Sequence, residues 1–141
     1  MNCDCSYEHA DNGGKTYVVN VGRIAAQNSN FRTAIWTGCN LQMTVMCIPA
    51  CGEIGSEIHD NTDQLIRVEH GNAVVKFGKS RSRMDYCQSM SQGDAVFIPA
   101  GTWHNILNPD NEPLRLSSVY APPNHPKGTV HRTKKDAEHE H

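Results

Sequence analysis

The sequence has no surplus of charge of either sign: 13 Lys and Arg stand against 15 Asp and Glu, a formal net charge of −2. That balance supplies no basic field to draw in nucleic acid or an anionic membrane surface. No apolar run approaches the roughly 20 residues of a membrane span. The polar start Met1-Asn2-Cys3-Asp4-Cys5 lacks the pattern of a secretory signal. A cytoplasmic protein with neither a nucleic-acid nor a membrane partner is therefore expected. No C-x-x-C pair is present, which removes the zinc-ribbon and thioredoxin-type readings. Long helical periodicity is also missing before the tail. What remains is a chain of 141 residues, one ordinary domain, with eight His and six Cys.

The cysteines are Cys3, Cys5, Cys39, Cys47, Cys51 and Cys87. An even count permits a disulfide framework, but without a secretory signal reduced thiols are expected. Cys47 falls in the apolar stretch Leu41–Ile48, where a free Cys serves as a small core hydrophobe. Cys3-Asp4-Cys5 sits on a polar terminus that brings no third or fourth ligand for a closed tetrahedral metal site.

Residues 1–16 read as a polar extension, 17–122 as the folded domain and 123–141 as a C-terminal tail. Tyr17–Val21 is expected as a short strand, followed by one or two helical turns over Gly22–Gln27 that stop at Asn28-Ser29-Asn30. Short strands separated by turn residues then follow at Leu41–Ile48, Leu65–Glu69, Ala73–Phe77, Met84–Gln88, Ala95–Ile98, His104–Leu107 and Leu114–Tyr120. Gly and Pro stand at most of the joints. This spacing predicts an antiparallel sandwich or barrel. In the tail, Thr133 is placed to cap a short helix through Glu138. Lys76, Lys79, Arg81 and Arg83 cluster near the Phe77-Gly78 hairpin; as an anion-binding patch they would have to converge on a pocket.

Two windows carry chemistry. In the first, Gly52 through Gly71, Glu57 and His59 stand two residues apart, so on a strand they share a face. The turn Asp60–Asp63 reverses the chain, and Gln64 begins a strand facing the same interior. A carboxylate, an imidazole and an amide oxygen thus gather over one small volume. The second window, Gly93 through Asn108, reads as strand, Pro-Ala-Gly turn and return strand, with His104 early on the return.

Together the windows resemble the two motifs of the cupin superfamily. Gly93, Pro99, Gly101, His104 and Asn108 match the fixed positions of G-x5-P-x-G-x2-H-x3-N. In the first motif His59 and Gly71 match, while Glu57 stands where the family usually has His and Gln64 where it has Glu. The Glu-x-His…Asp-Gln arrangement, with Tyr120-Ala121-Pro122-Pro123 and Gly128-Thr129-Val130-His131 behind it, is similar to a group of small bacterial cupins often labelled mannose-6-phosphate isomerase-like. The resemblance implies an all-β double-stranded β-helix, the jelly-roll barrel, over 17–122 and a homodimer formed through its sheets. It also implies one divalent transition metal (Zn, Mn, Fe, Ni or Co) held by Glu57, His59, Gln64 and His104. Should the turn shift by one residue, Asp63 replaces Gln64.

Imidazole and carboxylate suit such ions, and the absence of thiolate argues against a purely soft-metal site. The expected activity is isomerase-like, on a small sugar or hydroxy/oxo acid, with Glu57 as the catalytic base. Two rivals stand beside it: a non-haem Fe(II) dioxygenase using His59, His104 and Glu57, and a barrel that binds a small molecule without turning it over. Of the remaining residues, His70 is expected to be solvated in its turn, and His125 and His131 are lesser candidates behind the ligands. His9, His139 and His141 are expected to do nothing specific near the ends. Trp103 points opposite to His104 and belongs to packing or a dimer contact. Tyr120 is expected to be structural.

Overall fold

The computed structural model describes residues 11–139; Cys3, Cys5, His9 and His141, considered above, lie outside them. Among the described residues nine strands and two short helices follow one another. They are α1 (Val21–Gln27), β1 (Arg32–Thr37), β2 (Gln42–Ile48), β3 (Asp63–His70), β4 (Asn72–Gly78), β5 (Tyr86–Ser91), β6 (Ala95–Ile98), β7 (Trp103–Leu107), β8 (Leu114–Ala121), β9 (Val130–His131) and α2 (Lys134–Glu138). The strands form a six-stranded sheet, order β6-β3-β8-β2-β1-β9, and a three-stranded sheet, order β5-β4-β7. Every named pairing is antiparallel. This is the jelly-roll, all-β architecture that the strand spacing and the motif resemblance predict. Among the described residues no helix is long and apolar enough to cross a membrane.

The period-two alternation of the central strands explains what fills the interior. Gln42, Tyr120 and Gln64 stand opposite one another across β2, β8 and β3, and so project to one face. Two residues along come Thr44, Ser118 and Ile66, then Met46, Leu116 and Val68, then Ile48 and Leu114. All are buried. The space between the sheets therefore grades from amide, hydroxyl and phenol at one end to aliphatic side chains at the other. Phe31, Ile54, Ala73, Val75, Met90, Ile98 and Ile106 complete the aliphatic end. Burying that surface drives the sandwich closed, while the polar end must find partners or a ligand.

Several local expectations change. Tyr17–Asn20 forms no strand, because no neighbouring strand is there to pair with it; instead Asn20 caps α1, its Oδ1 accepting the Arg23 N–H at 2.9 Å. The helix over Gly22–Gln27 is present and starts one residue earlier, at Val21. Ala25, Ile35 and Val45 pack it onto the outer face of β1 and β2. Arg115 donates to the carbonyls of Ala25 and Asn28, closing the helix end. His70, expected to be solvated in its turn, instead meets the first turn of α1, its Nε2 lying 3.1 Å from the Gly22 carbonyl. The strand over Met84–Gln88 slides to Tyr86–Ser91, since a turn bridged between Ser80 and Arg83 occupies the preceding residues.

β1 escapes the sequence reading altogether, and Cys47 is half-buried on the outer side of β2 rather than in the core. The other three described cysteines, Cys39, Cys51 and Cys87, are exposed, and all four are free thiols. The tail holds the Thr133-capped helix, with a capping box completed by Asp136. It also supplies β9, which pairs with β1 through Arg32 opposite His131.

Asp11 ties three segments together. Its carboxylate accepts the N–H groups of Gly13 and Gly128, each at 2.9 Å, and the Thr37 hydroxyl. Burial pushes this carboxyl up, but the hydrogen bonds outweigh it and leave the group below its ordinary range. A carboxyl depressed in the folded state contributes stability that is complete above its unfolded value and is lost as pH falls through the folded one. Asp11→Asn should therefore cost about 1–2 kcal/mol at pH 7 in urea denaturation. That difference should narrow below about pH 4.

Candidate metal centre

The site is built on a backbone pairing outside the regular strands. The 53–57 segment runs antiparallel to β7, bridged at Glu53–Leu107 and at Glu57–His104. Glu57 and His104 exchange both backbone hydrogen bonds, at 2.9 and 3.0 Å. Directly opposed residues project to the same face, so the carboxylate is delivered beside the imidazole. Between the bridges Gly55 has φ +109, a left-handed conformation open to glycine. His59, two residues beyond Glu57, is held by its carbonyl accepting the Gly101 N–H at 2.8 Å. Glu57 and His59 share a side as expected, although their segment is an extended loop and not a continuous strand.

Glu57 Oε1 lies 3.4 Å from His59 Nε2 and 3.5 Å from His104 Nε2. One donor atom from each of the three residues falls within 4.8 Å of the others. Neither Nε2 makes a hydrogen bond, and both are buried. Donors bound at about 2.0–2.1 Å to a common ion stand roughly 2.9–3.4 Å apart, close to the spacing seen here. His104 Nδ1 lies 2.9 Å from the Thr102 carbonyl. An imidazole that donates there turns its Nε2 lone pair to the cluster, the usual way a ligating histidine is oriented.

Gln64, at the start of β3, is 4 % exposed. Its Nε2 donates to Ser118 Oγ at 2.8 Å, and its Oε1 is buried with no partner. Asp63, the alternative, is exposed and accepts the Ala100 N–H. The chemistry of this donor set, two free imidazole nitrogens and a carboxylate with an orphaned amide oxygen in the same interior, fits a divalent transition ion.

Burial is the largest influence on the Glu57 carboxyl and pushes it up; the His104 and His59 imidazoles reverse this and hold it well below the usual carboxylate range. The side chain is 29 % exposed, against 12 % for His59 and 2 % for His104. Glu57 is thus the most open of the three, and it faces a cavity of about 720 Å³. His59 also lines this cavity.

Trp103 lines it too, which corrects the expectation that it points away from the pocket. The ring is drawn there by Arg81, whose guanidinium carbon sits 4.8 Å from its centroid. Of the four basic residues near the Phe77-Gly78 hairpin, only Arg81 reaches the cavity. Sequence reasoning missed Arg32, from β1, and Lys134, from α2, which also line it. The signal for Arg32 was a lone cation in the β-prone run Phe31–Thr37. Tyr120 is buried, its ring edge-on to His59 and to His125 at centroid distances of 5.9 and 5.2 Å.

Fold and site define an antiparallel jelly roll enclosing a two-imidazole, one-carboxylate cluster. Residues 44–120 match the cupin domain family, and the chain belongs to it. It is 50 % identical to the YrkC protein of Bacillus subtilis (strain 168) over 127 residues, covering 90 % of this chain and 68 % of that one. With the L612 protein of Acanthamoeba polyphaga mimivirus it shares 37 % identity over 120 residues, 84 % of this chain and 73 % of that protein. The crystal structure of BH2720 from Bacillus halodurans superposes with a TM-score of 0.90 at 45 % identity, covering 92 % of this chain and 98 % of that one.

Elemental analysis of untagged protein should find close to one equivalent of divalent metal, and His59→Ala/His104→Ala should lose it. Both proteins keep the same terminal histidines, so metal held there cancels in the comparison, and equal metal content in the two proteins would disprove the site. Gln64→Leu should weaken metal retention during dialysis without abolishing it.

Proposed function

We propose that this cupin is a metal-dependent enzyme, isomerase-like in its chemistry, acting in the cytoplasm on a small sugar or hydroxy/oxo acid. The convergence of the His59 and His104 Nε2 atoms with Glu57 Oε1, at the edge of a cavity of about 720 Å³, carries this reading. Glu57, His59 and His104 hold the ion, with Gln64 as fourth ligand. A divalent ion there supplies Lewis acidity to a coordinated carbonyl, hydroxyl or water.

The protein's own contribution is orientation and proton handling. The Thr102 carbonyl fixes the His104 ring, and the Glu57–His104 backbone pair fixes the carboxylate. The imidazoles keep the Glu57 carboxylate ionised, which suits a ligand and makes it a weak base while it stays in place. As the most open of the three, it is also the group that turns toward the cavity to take a proton from a carbon beside a substrate carbonyl.

A second reading draws on the same three residues. Two His and one carboxylate compose the facial set of non-haem Fe(II) oxygenases. The two are separated by incubating metal-loaded protein with a panel of aldose and ketose sugars and hydroxy and oxo acids. Isomerisation without oxygen, lost in Glu57→Gln, supports the isomerase reading. Oxygen uptake that depends on Fe(II) supports the oxygenase, and no turnover across the panel with any of the candidate metals would overturn both.

A further inference from the structure

The cavity beside the cluster is lined by three cations, and among the described residues none of them forms an ion pair. Arg32, on β1, is 3 % exposed, yet its Nε has no hydrogen-bond partner. Its other contacts are His131 Nδ1 at 3.1 Å, Met46 Sδ at 4.0 Å and the Phe31 ring. A buried guanidinium is costly unless it is paired and hydrogen-bonded, and neither an imidazole nitrogen nor a thioether carries the negative charge that would balance it. Arg81 reaches the same cavity along the Trp103 ring, and Lys134 from α2, with its terminal atoms against Gly55. Among the described residues, no carboxylate stands within 4.0 Å of Arg32, Arg81 or Lys134; the ion pairs present involve Glu57, Glu69 and Asp85. Of the two carboxylates in the cavity wall, Glu57 is already in contact with His59 and His104, and Glu138 forms no ion pair with any of the three cations.

We propose that the cavity is an oxyanion site. Its ligand is a small molecule with a carboxylate or phosphate group held by Arg32, with Arg81 and Lys134 closing over it from the hairpin and the C-terminal helix. Guanidinium recognises both groups by charge-assisted, often bidentate, hydrogen bonds. The proposal rests on the reading above in taking this cavity as the substrate site, and it narrows the substrate to an acid or a sugar phosphate rather than a neutral sugar.

Calorimetric titration with matched pairs tests it: glycolate against glycolamide, and glucose 6-phosphate against glucose. The acid member of at least one pair should bind about tenfold or more tightly than its neutral partner. Preference in the first pair alone identifies a carboxylate ligand, and in the second alone a phosphate. Arg81→Gln/Lys134→Gln, altered only at the cavity rim, should lose most of that preference while keeping its Tm. Arg32→Gln should lose it too.

The His59→Ala/His104→Ala protein separates this from coordination by the metal. Preference that persists there belongs to the cations, and a failure of the metal reading then leaves it standing. Equal binding within both pairs, no binding of either acid, or a preference untouched in Arg81→Gln/Lys134→Gln would overturn the proposal.

Discussion

The paired backbone of Glu57 and His104 is the constraint on which the rest of the site depends. Two reciprocal hydrogen bonds stitch an otherwise irregular segment onto β7. They extend the smaller sheet, bring a carboxylate beside a buried imidazole and set His59 two residues further on. Gly101, with φ +83 in the turn between β6 and β7, donates its N–H to the His59 carbonyl. The cluster is therefore held by main chain and not by side-chain packing alone, which gives its geometry a rigid origin.

Around that anchor the barrel interior is divided by chemistry. One end is aliphatic and accounts for closure of the sheets. The other holds Gln42, Thr44, Gln64, Ser118 and Tyr120, all buried. Most of these find partners: Gln42 donates to the His125 carbonyl and accepts the N–H groups of Asn124 and His125, pinning the tail across the barrel mouth. Thr44 Oγ1, Gln64 Oε1 and the two Nε2 atoms make no hydrogen bond, the Nε2 atoms facing only the Glu57 carboxylate. Unsatisfied polar groups inside a packed domain are expensive. An ion held between the two Nε2 atoms and Glu57 would satisfy those nitrogens.

Much of this was legible in one sequence. The residues of the second window matched a family pattern, and each has a physical task. Gly93 and Gly101 take positive φ, and Asn108 donates to the carbonyls of Ile48, Pro49 and Glu112. Strands with clean alternation, β2, β3, β4, β6 and β8, were readable because one face is buried. β1 was not, because an arginine interrupts its inward face at Arg32. The strand expected at Tyr17–Val21 failed for the opposite reason, since its local β propensity had no neighbour to satisfy. Of the cavity cations, Arg81 stood in a recognised basic cluster, while Arg32 and Lys134 were illegible because they come from β1 and the tail. Only the fold brings them together.

The tail gives the site an unequal history. Arg32 and His131, in contact across β1 and β9, are separated by 99 positions, whereas Glu57, His59 and His104 lie within the central part of the chain. As synthesis proceeds from the N-terminus, Glu57, His59 and His104 leave the ribosome before the tail residues that complete the cavity wall. A chain cut short after Tyr120 would carry the whole donor cluster with its mouth stripped of His125, Lys134 and Glu138. This later-made segment decides how much of the interior is open to water, and so ties the seclusion of the cluster to a part of the chain remote from it in sequence.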